Sequence, residues 1–246
     1  QHHGKASQRR HKPVPRFRIA TADHHPDLGH QQHAAEDLQP RLRGGGGGLQ
    51  TARLPPGDGP LAVLISRLSE HKGLDLLIDA LPGFLARGGR LALLGSGDPG
   101  LEHAFSDLAH HYDNVGVRIG YNEALSHRMM AGGDAILVPS RFEPCGLTQL
   151  YGLRYGTLPL VALTGGLADT VINASPAALS AEVATGVQFH PVTQGALDGA
   201  LHRLCDLYAQ PKVWAKMQRN AQKQAVGWDR SAAAYARLYE QAVSRS

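Results

Sequence analysis

The stretch that decides the fold is Ser140–Gly156, which reads SRFEPCGLTQLYGLRYG. A short apolar run, Ala135–Val138, comes before it, and Pro139 ends that run. The run is too short for a helix and is rich in strand-forming residues, so it predicts a buried strand. From Gly146 onward, apolar residues recur at three- and four-residue spacing, which predicts a helix. The stretch is therefore interpreted as the loop and helix that follow a buried strand.

The loop between this strand and helix, Arg141–Gly146, is the first candidate binding segment. In an open α/β sheet, ligands bind beyond the carboxyl ends of the strands, where such a loop lies. A helix start offers unpaired backbone N–H groups and the positive end of the helix dipole, which together hold a phosphate. The carboxylate of Glu143 can accept hydrogen bonds from sugar hydroxyls. We therefore predict that the loop binds both phosphate and sugar groups.

From Pro60 onward, strands and helices alternate regularly, which predicts an α/β fold with a parallel sheet covered by helices. The predicted strands are Leu61–Ile65, Arg90–Leu94, Val115–Ile119, Ala135–Val138 and Leu158–Ala162. The predicted helices, besides the one that starts at Gly146, are Leu74–Leu85, Leu101–Tyr112, Glu123–Ala131, Gln194–Tyr208, Lys212–Gln224 and Ser231–Val243.

The composition excludes several classes of protein. Hydrophobic residues make up 42% and charged residues 19% of the 246 residues, which is typical of a soluble globular protein of one or two domains. No apolar run approaches the length of a membrane span, so we expect no membrane partner. The formal net charge is +4, but no groove-reading motif accompanies it, so we expect no nucleic-acid partner. Two cysteines, Cys145 and Cys205, give no disulfide framework, which favours a cytoplasmic location.

Residues 1–59 differ from the rest of the chain. They contain half of its fourteen histidines and a five-glycine run, Gly44–Gly48, and they show no apolar periodicity. Such a composition buries too little surface to offset the entropy of ordering, so we predict an irregular or disordered segment before a folded domain at 60–246. An out-of-frame translation is a second interpretation. A metal site is a third and weaker one, because four histidines lie close together: His24, His25, His30 and His33.

Four stretches of the folded domain resemble the bacterial glycogen synthase family, whose relatives include the plant starch synthases. They are SRLSEHKGLDLL at Ser66–Leu77, GYNEALSHRMMAGGDAILVPS at Gly120–Ser140, SRFEPCGLTQLYGLRYG at Ser140–Gly156 and TGGLADTV at Thr164–Val171. The resemblance implies that residues 60–246 form the Rossmann-like, nucleotide-sugar-binding C-terminal domain of a two-domain GT-B glycosyltransferase. It also implies a reaction, the transfer of glucose from ADP-glucose to an α-1,4-glucan with retention of configuration.

The resemblance assigns three catalytic residues. Arg67 and Lys72, placed in the loop after the first strand, correspond to the family's cations that bind the leaving diphosphate. Read without the family, they are two solvated surface charges. Glu143 corresponds to the residue that contacts the glucosyl unit. Because these cations and the helix start at Gly146 supply the charge stabilisation, we expect neither a metal nor another cofactor.

The resemblance also implies a set of donor-binding residues. Tyr121 would stack on the adenine, although an aromatic residue at a sheet edge also packs there without any ligand. The other implied donor-binding residues are Cys145, Gly146, Leu147, Thr148, Gly165 and Gly166. Two adjacent glycines permit close approach to a ligand, but they also suit a tight turn in which Asp169 or Thr170 caps a helix.

A second glycine-rich segment, Gly95–Asp98, follows a predicted strand. Its glycines miss the dinucleotide-binding spacing by one residue, so a tight strand-to-helix turn is the simpler interpretation.

The resemblance further implies a first domain that carries the acceptor site, and we do not find that domain in these 246 residues. We therefore expect the chain to supply the donor-binding half and to be inactive by itself. The last predicted helix is expected to leave apolar side chains exposed and to favour self-association. Two other interpretations stay open, a non-catalytic nucleotide-sugar-binding module and a GT-B transferase that uses a UDP-sugar.

Overall fold

The computed structural model describes residues 54–224 and 226–244, apart from the side chain of residue 230. Most of the predicted irregular segment lies outside the described residues, and so do the four clustered histidines. Within the described part of that segment, residues 54–59 form neither helix nor strand.

In the described ranges, six strands form one parallel sheet in the order β3-β2-β1-β4-β5-β6. The strands are β1 Leu61–Leu68, β2 Arg90–Gly97, β3 Val115–Ile119, β4 Ala135–Val138, β5 Leu158–Ala162 and β6 Val187–Phe189. The α-helices are α1 Leu74–Ala86, α2 Pro99–His111, α3 Glu123–Gly132, α4 Thr148–Tyr155, α5 Gly165–Thr170, α6 Pro176–Ser180, α7 Gln194–Tyr208, α8 Pro211–Gln222 and α9 Trp228–Ser244. A short 3₁₀ turn, Glu70–Lys72, precedes α1.

The strand order creates a crevice beside β1. The chain runs outward from β1 through β2 to β3, then returns to the other side of β1 and runs outward again through β4 to β6. β1 pairs with β2 along its whole length but with β4 only at Ala62 and Val63. Beyond these residues the carboxyl ends of β1 and β4 have no ladder between them. Such a switch point is where open α/β sheets bind their ligands.

Helices cover both faces of the sheet. On one face α1 packs against α7, and Leu77 and Leu201 are fully buried in the larger core cluster. On the other face, Met129 of α3 joins a smaller cluster with Leu61 and Val63 of β1. Alternate β1 residues therefore belong to different clusters, as strand geometry requires. Each fully buried side chain of this size contributes about 1.5–3 kcal/mol.

All five predicted strands are present, but two are longer than predicted. β1 continues to Leu68, so Arg67 lies in the strand and the prediction that it belongs to the following loop is wrong. β2 continues to Gly97 because a glycine there lets the strands approach closely. A Cβ at Gly97 would lie 2.2 Å from the carbonyl oxygen of Leu68. Residues Gly95–Gly97, which were predicted to form a turn, are therefore the end of β2. The chain turns at Asp98, whose side chain caps α2 by accepting a hydrogen bond from the N–H of Leu101.

Three short elements, β6, α5 and α6, were not predicted from the sequence. A three-residue strand such as β6 is too short to show periodicity. α5 begins with two glycines, which are poor helix formers and which suggested a turn. Asp169 and Thr170 lie inside α5, so the interpretation of either one as a cap is wrong. The hydroxyl of Thr170 instead donates to the carbonyl of Gly166 at 2.6 Å.

Candidate functional site

The crevice between β1 and β4 is the centre of the candidate site. Its lining includes Ile65 and Ser66 from β1, Lys72 at the end of the 3₁₀ turn, and Glu143 after β4. The cavity within the crevice has a volume of only about 20 Å³, enough for about one water molecule. A larger ligand must therefore lie over the open edge of the crevice, against the loops that surround it.

An ion pair joins the two sides of this crevice. Nζ of Lys72 lies 2.5 Å from Oε2 of Glu143, and their side chains are 31% and 13% exposed. The hydroxyl of Ser140 donates to the same carboxylate oxygen at 3.3 Å. An ammonium group has three hydrogens, so Lys72 can hold Glu143 and still donate to a ligand. The structure thus brings together two of the three predicted catalytic residues.

A second ion pair fixes the two loops that carry the first. The guanidinium of Arg141 donates to both carboxylate oxygens of Asp75 at 2.6 Å and to the carbonyl of Glu70 at 2.7 Å. The backbone N–H of Arg141 donates to the carbonyl of His71 at 2.9 Å. This hydrogen bonding holds the pKa of the Asp75 carboxyl below its ordinary value and raises the pKa of Arg141. This pairing was not predicted from the sequence, because contact between residues far apart in the chain leaves no local pattern.

The start of α4 leaves backbone donors free. α4 begins at Thr148, and the prediction that it begins at Gly146 is wrong, because Gly146 has a left-handed φ of +72°. Leu147 precedes the helix without a side-chain cap. The N–H groups of Gly146, Leu147 and Thr148 donate to no acceptor among the described residues. Free N–H groups at the positive end of a helix are suited to a phosphate.

Gln149 supports this loop from inside, and the sequence analysis did not select it. Its side chain is fully buried. The side-chain nitrogen donates to the carbonyls of Cys145 at 3.0 Å and Gly146 at 2.8 Å, and lies 3.3 Å from the hydroxyl of Thr170. The side-chain oxygen has no hydrogen-bond partner in the described part of the chain. No local signal marks this residue, because the same helix also contains the polar residues Thr148 and Arg154.

Two glycines allow α5 to pack closely against the loop Arg141–Gly146. A Cβ at Gly165 would lie 2.1 Å from the carbonyl oxygen of Glu143, and one at Gly166 would lie 2.2 Å from that of Cys145. The N–H of Gly166 also donates to the carbonyl of Glu143 at 3.1 Å. The glycines thus have a packing role within the chain itself, and their contact with a donor stays a prediction.

Arg67 and Tyr121 lie at the same edge of the sheet but outside this cluster. The guanidinium of Arg67, near the end of β1, is exposed and has no hydrogen bond or ion pair with the other described residues. Tyr121 follows β3 and is 84% exposed, and β2 separates its strand from the crevice. A free cation and a free aromatic face at this edge are compatible with phosphate binding and base stacking.

Both cysteines lie within residues 54–224 and 226–244, the ranges that the structure describes. Cys145 is a free, exposed cysteine and Cys205 a free, buried one. No helix of these ranges is both long and apolar enough to cross a bilayer. Nor do the same ranges contain a group of three His, Cys, Asp or Glu side chains placed to hold a metal ion.

Comparisons with known proteins give consistent matches. The family model "Glycosyl transferases group 1" matches residues 50–224. A glycogen synthase of Paracoccus denitrificans is 68% identical over 187 residues, which are 76% of this chain and 40% of that protein. A glycogen synthase of Jannaschia is 68% identical over 182 residues, or 74% of this chain and 39% of that protein.

Among solved structures, the catalytic domain of starch synthase IV from Arabidopsis thaliana, bound to ADP and acarbose, matches with a TM-score of 0.75 and 31% identity. The match covers 89% of this chain and 44% of that one. The resemblance to bacterial glycogen synthases and the GT-B class of fold are therefore confirmed. This chain spans about 40% of the length of the curated relatives that it matches.

Proposed function

The chain belongs to the group 1 glycosyl transferases, and from this premise we propose that it binds a nucleotide sugar over the open edge of the β1–β4 crevice. The donor is ADP-glucose, and the reaction of the whole enzyme is glucosyl transfer to an α-1,4-glucan with retention. This proposal is supported by 68% identity to glycogen synthases and by likeness to a starch synthase bound to ADP.

The observation that carries the proposal is the Lys72–Glu143 pair beside the uncapped start of α4. When the bond to the sugar breaks, negative charge develops on the departing diphosphate. The ammonium of Lys72, the guanidinium of Arg67 and the free N–H groups of the α4 start are donors that stabilise such charge. The carboxylate of Glu143 is an acceptor for hydroxyls of the glucosyl unit.

We assign binding of the nucleotide base to Tyr121. Its ring is exposed at the carboxyl edge of the sheet, where it can stack on adenine without displacing any core contact. Stacking is tolerant of base identity, so the choice of adenine over uracil rests on the relatives rather than on this contact.

Titration calorimetry with ADP and UDP tests the proposal. ADP is expected to bind the 246-residue chain more tightly than UDP. Arg67→Ala and Lys72→Ala should each weaken ADP binding by about 1.5–3 kcal/mol, because each removes a charge-assisted hydrogen bond. Lys212→Ala, which removes an exposed cation at the start of α8, is the matched control and should leave the affinity unchanged. Equal ADP affinity in all four proteins would contradict the phosphate assignment.

The same titrations separate the alternatives. Tighter binding of UDP than of ADP would favour a transferase that uses a UDP-sugar. ADP binding without glucosyl transfer by the full-length protein would favour a non-catalytic module. We also propose a cytoplasmic location, which the two free cysteines support.

A further inference from the structure

We propose that Gln149 is a positioning residue that turns two peptide groups of the donor loop so that their N–H groups face the phosphates. This inference rests on the proposed function. The side chain of Gln149 is fully buried and is not expected to touch a ligand itself. Its role is to fix the orientation of the backbone N–H donors at the start of α4.

The geometry follows from the planarity of the peptide bond. The carbonyls of Cys145 and Gly146 both point inward to the side-chain nitrogen of Gln149, at 3.0 and 2.8 Å. Both following peptide bonds are trans. In a trans peptide the C=O and N–H vectors point in opposite directions. The N–H groups of Gly146 and Leu147 therefore point outward, and no acceptor of the described residues takes them. Outward-pointing successive N–H groups form an anion-binding concavity.

The orientation of the Gln149 amide is itself fixed. Rotating the amide by half a turn would place its oxygen against the two carbonyl oxygens, which repel it. Its nitrogen also lies 3.3 Å from the hydroxyl of Thr170 in α5. That hydroxyl donates its own hydrogen to the carbonyl of Gly166, so it presents its oxygen to the amide nitrogen, whose two hydrogens are shared among three acceptors. The N–H of Gly166 also donates to the carbonyl of Glu143. Helix α5 therefore contacts both Glu143, which is proposed to bind the sugar, and the amide that orients the phosphate-binding N–H groups.

The oxygen of the amide carries a cost to stability. It is buried without a partner among the described residues, and burying an unpaired polar atom is unfavourable. A leucine would fill a similar volume without that penalty, but it would leave the carbonyls of Cys145 and Gly146 without their donor. A residue chosen only for packing would therefore be apolar, whereas a donor of two hydrogens is needed to hold two carbonyls inward.

The test compares Gln149→Leu with the wild-type chain by thermal unfolding and by titration with ADP. Gln149→Leu removes the unpaired oxygen but also leaves two carbonyls without their donor. It is therefore expected to unfold at a similar or lower temperature and to bind ADP at least tenfold more weakly. The matched control is Gln218→Leu in α8, which removes a similar bond, from the side-chain nitrogen to the carbonyl of Gly156 at 3.1 Å. This control should leave ADP affinity unchanged.

A second variant keeps the test decisive if Gln149→Leu does not fold. In Gln149→Glu the new carboxyl is buried against two carbonyl oxygens, which raises its pKa. Below that pKa the neutral acid still donates one hydrogen, and above it the carboxylate donates none. ADP affinity is therefore expected to fall as the pH rises, by at least tenfold relative to the wild-type profile.

The outcomes separate the two proposals. If the wild-type chain binds ADP and both variants bind it with wild-type affinity and pH dependence, the positioning role is refuted while the proposed function stands. If the wild-type chain itself fails to bind ADP, the proposed function fails and the positioning role fails with it.

Discussion

Replacing Gly166 by alanine tests whether α5 must touch the donor loop. The added Cβ would lie 2.2 Å from the carbonyl oxygen of Cys145, whereas ordinary contacts begin near 3.4 Å. Either α5 or the loop must therefore move by about 1 Å, because both partners at the contact are backbone and neither can rotate away. The displaced loop carries Glu143 and the free N–H groups before α4.

The expected loss of stability is the balance of three effects. Overpacking costs about 1–3 kcal/mol. Weakening the hydrogen bond from the N–H of Gly166 to Glu143 costs about 0.5–1.5 kcal/mol. Alanine favours the helical conformation over glycine by about 1 kcal/mol. We therefore expect the free energy of unfolding to fall by about 0.5–3.5 kcal/mol, and ADP binding to weaken at the same time.

Urea unfolding and ADP titration measure the two effects, with Gly199→Ala as the control. A Cβ at Gly199, in the exposed face of α7, meets nothing within 4 Å. That substitution should stabilise the chain by up to about 1 kcal/mol and leave ADP affinity unchanged. If Gly166→Ala behaved like Gly199→Ala in both measurements, the close contact between α5 and the loop would be refuted.

Four further predictions concern the ion pairs and the whole chain. The folded-state pKa of Asp75 is lowered, so its pairing with Arg141 stabilises the fold above the unfolded pKa of about 3.9 and is lost as the pH falls through the folded pKa. Because Asp75 is 45% exposed, Asp75→Asn should remove only about 1 kcal/mol of unfolding free energy at pH 6, and progressively less as the pH falls through the folded pKa. Glu143→Gln should tighten ADP binding by about 0.5–1 kcal/mol in calorimetry, since it removes a negative charge that competes for Lys72; weaker binding would contradict this. The 246-residue chain alone should incorporate no labelled glucose from ADP-glucose into glycogen, because transfer requires an acceptor held against the donor. Leu238→Ser should reduce self-association in sedimentation measurements, because Leu238 belongs to the exposed apolar surface of α9.

The sequence by itself determined most of the elements at the centre of the fold. The bounds of β3, β4, β5 and α7 agree with prediction, because apolar periodicity reports which side of an element is buried. Apolar periodicity did not predict where β1 and β2 end, because the length of each strand depends on its pairing with the other rather than on local pattern. The short elements β6 and α5 were missed because they contain too few residues to show a period.

For the candidate site, the sequence determined which loops matter, and the tertiary structure alone decided how they are held together. The motifs selected Lys72 and Glu143, yet these lie 71 positions apart in the chain. They meet because β1 and β4, although not consecutive, are neighbours in the sheet. The same adjacency pairs Arg141 with Asp75, 66 positions away. The inward amide of Gln149 likewise acts on backbone groups whose orientation exists only after folding. Periodicity and motif spacing describe neighbours along the chain, whereas contacts across a sheet depend on strand order, which local pattern does not encode.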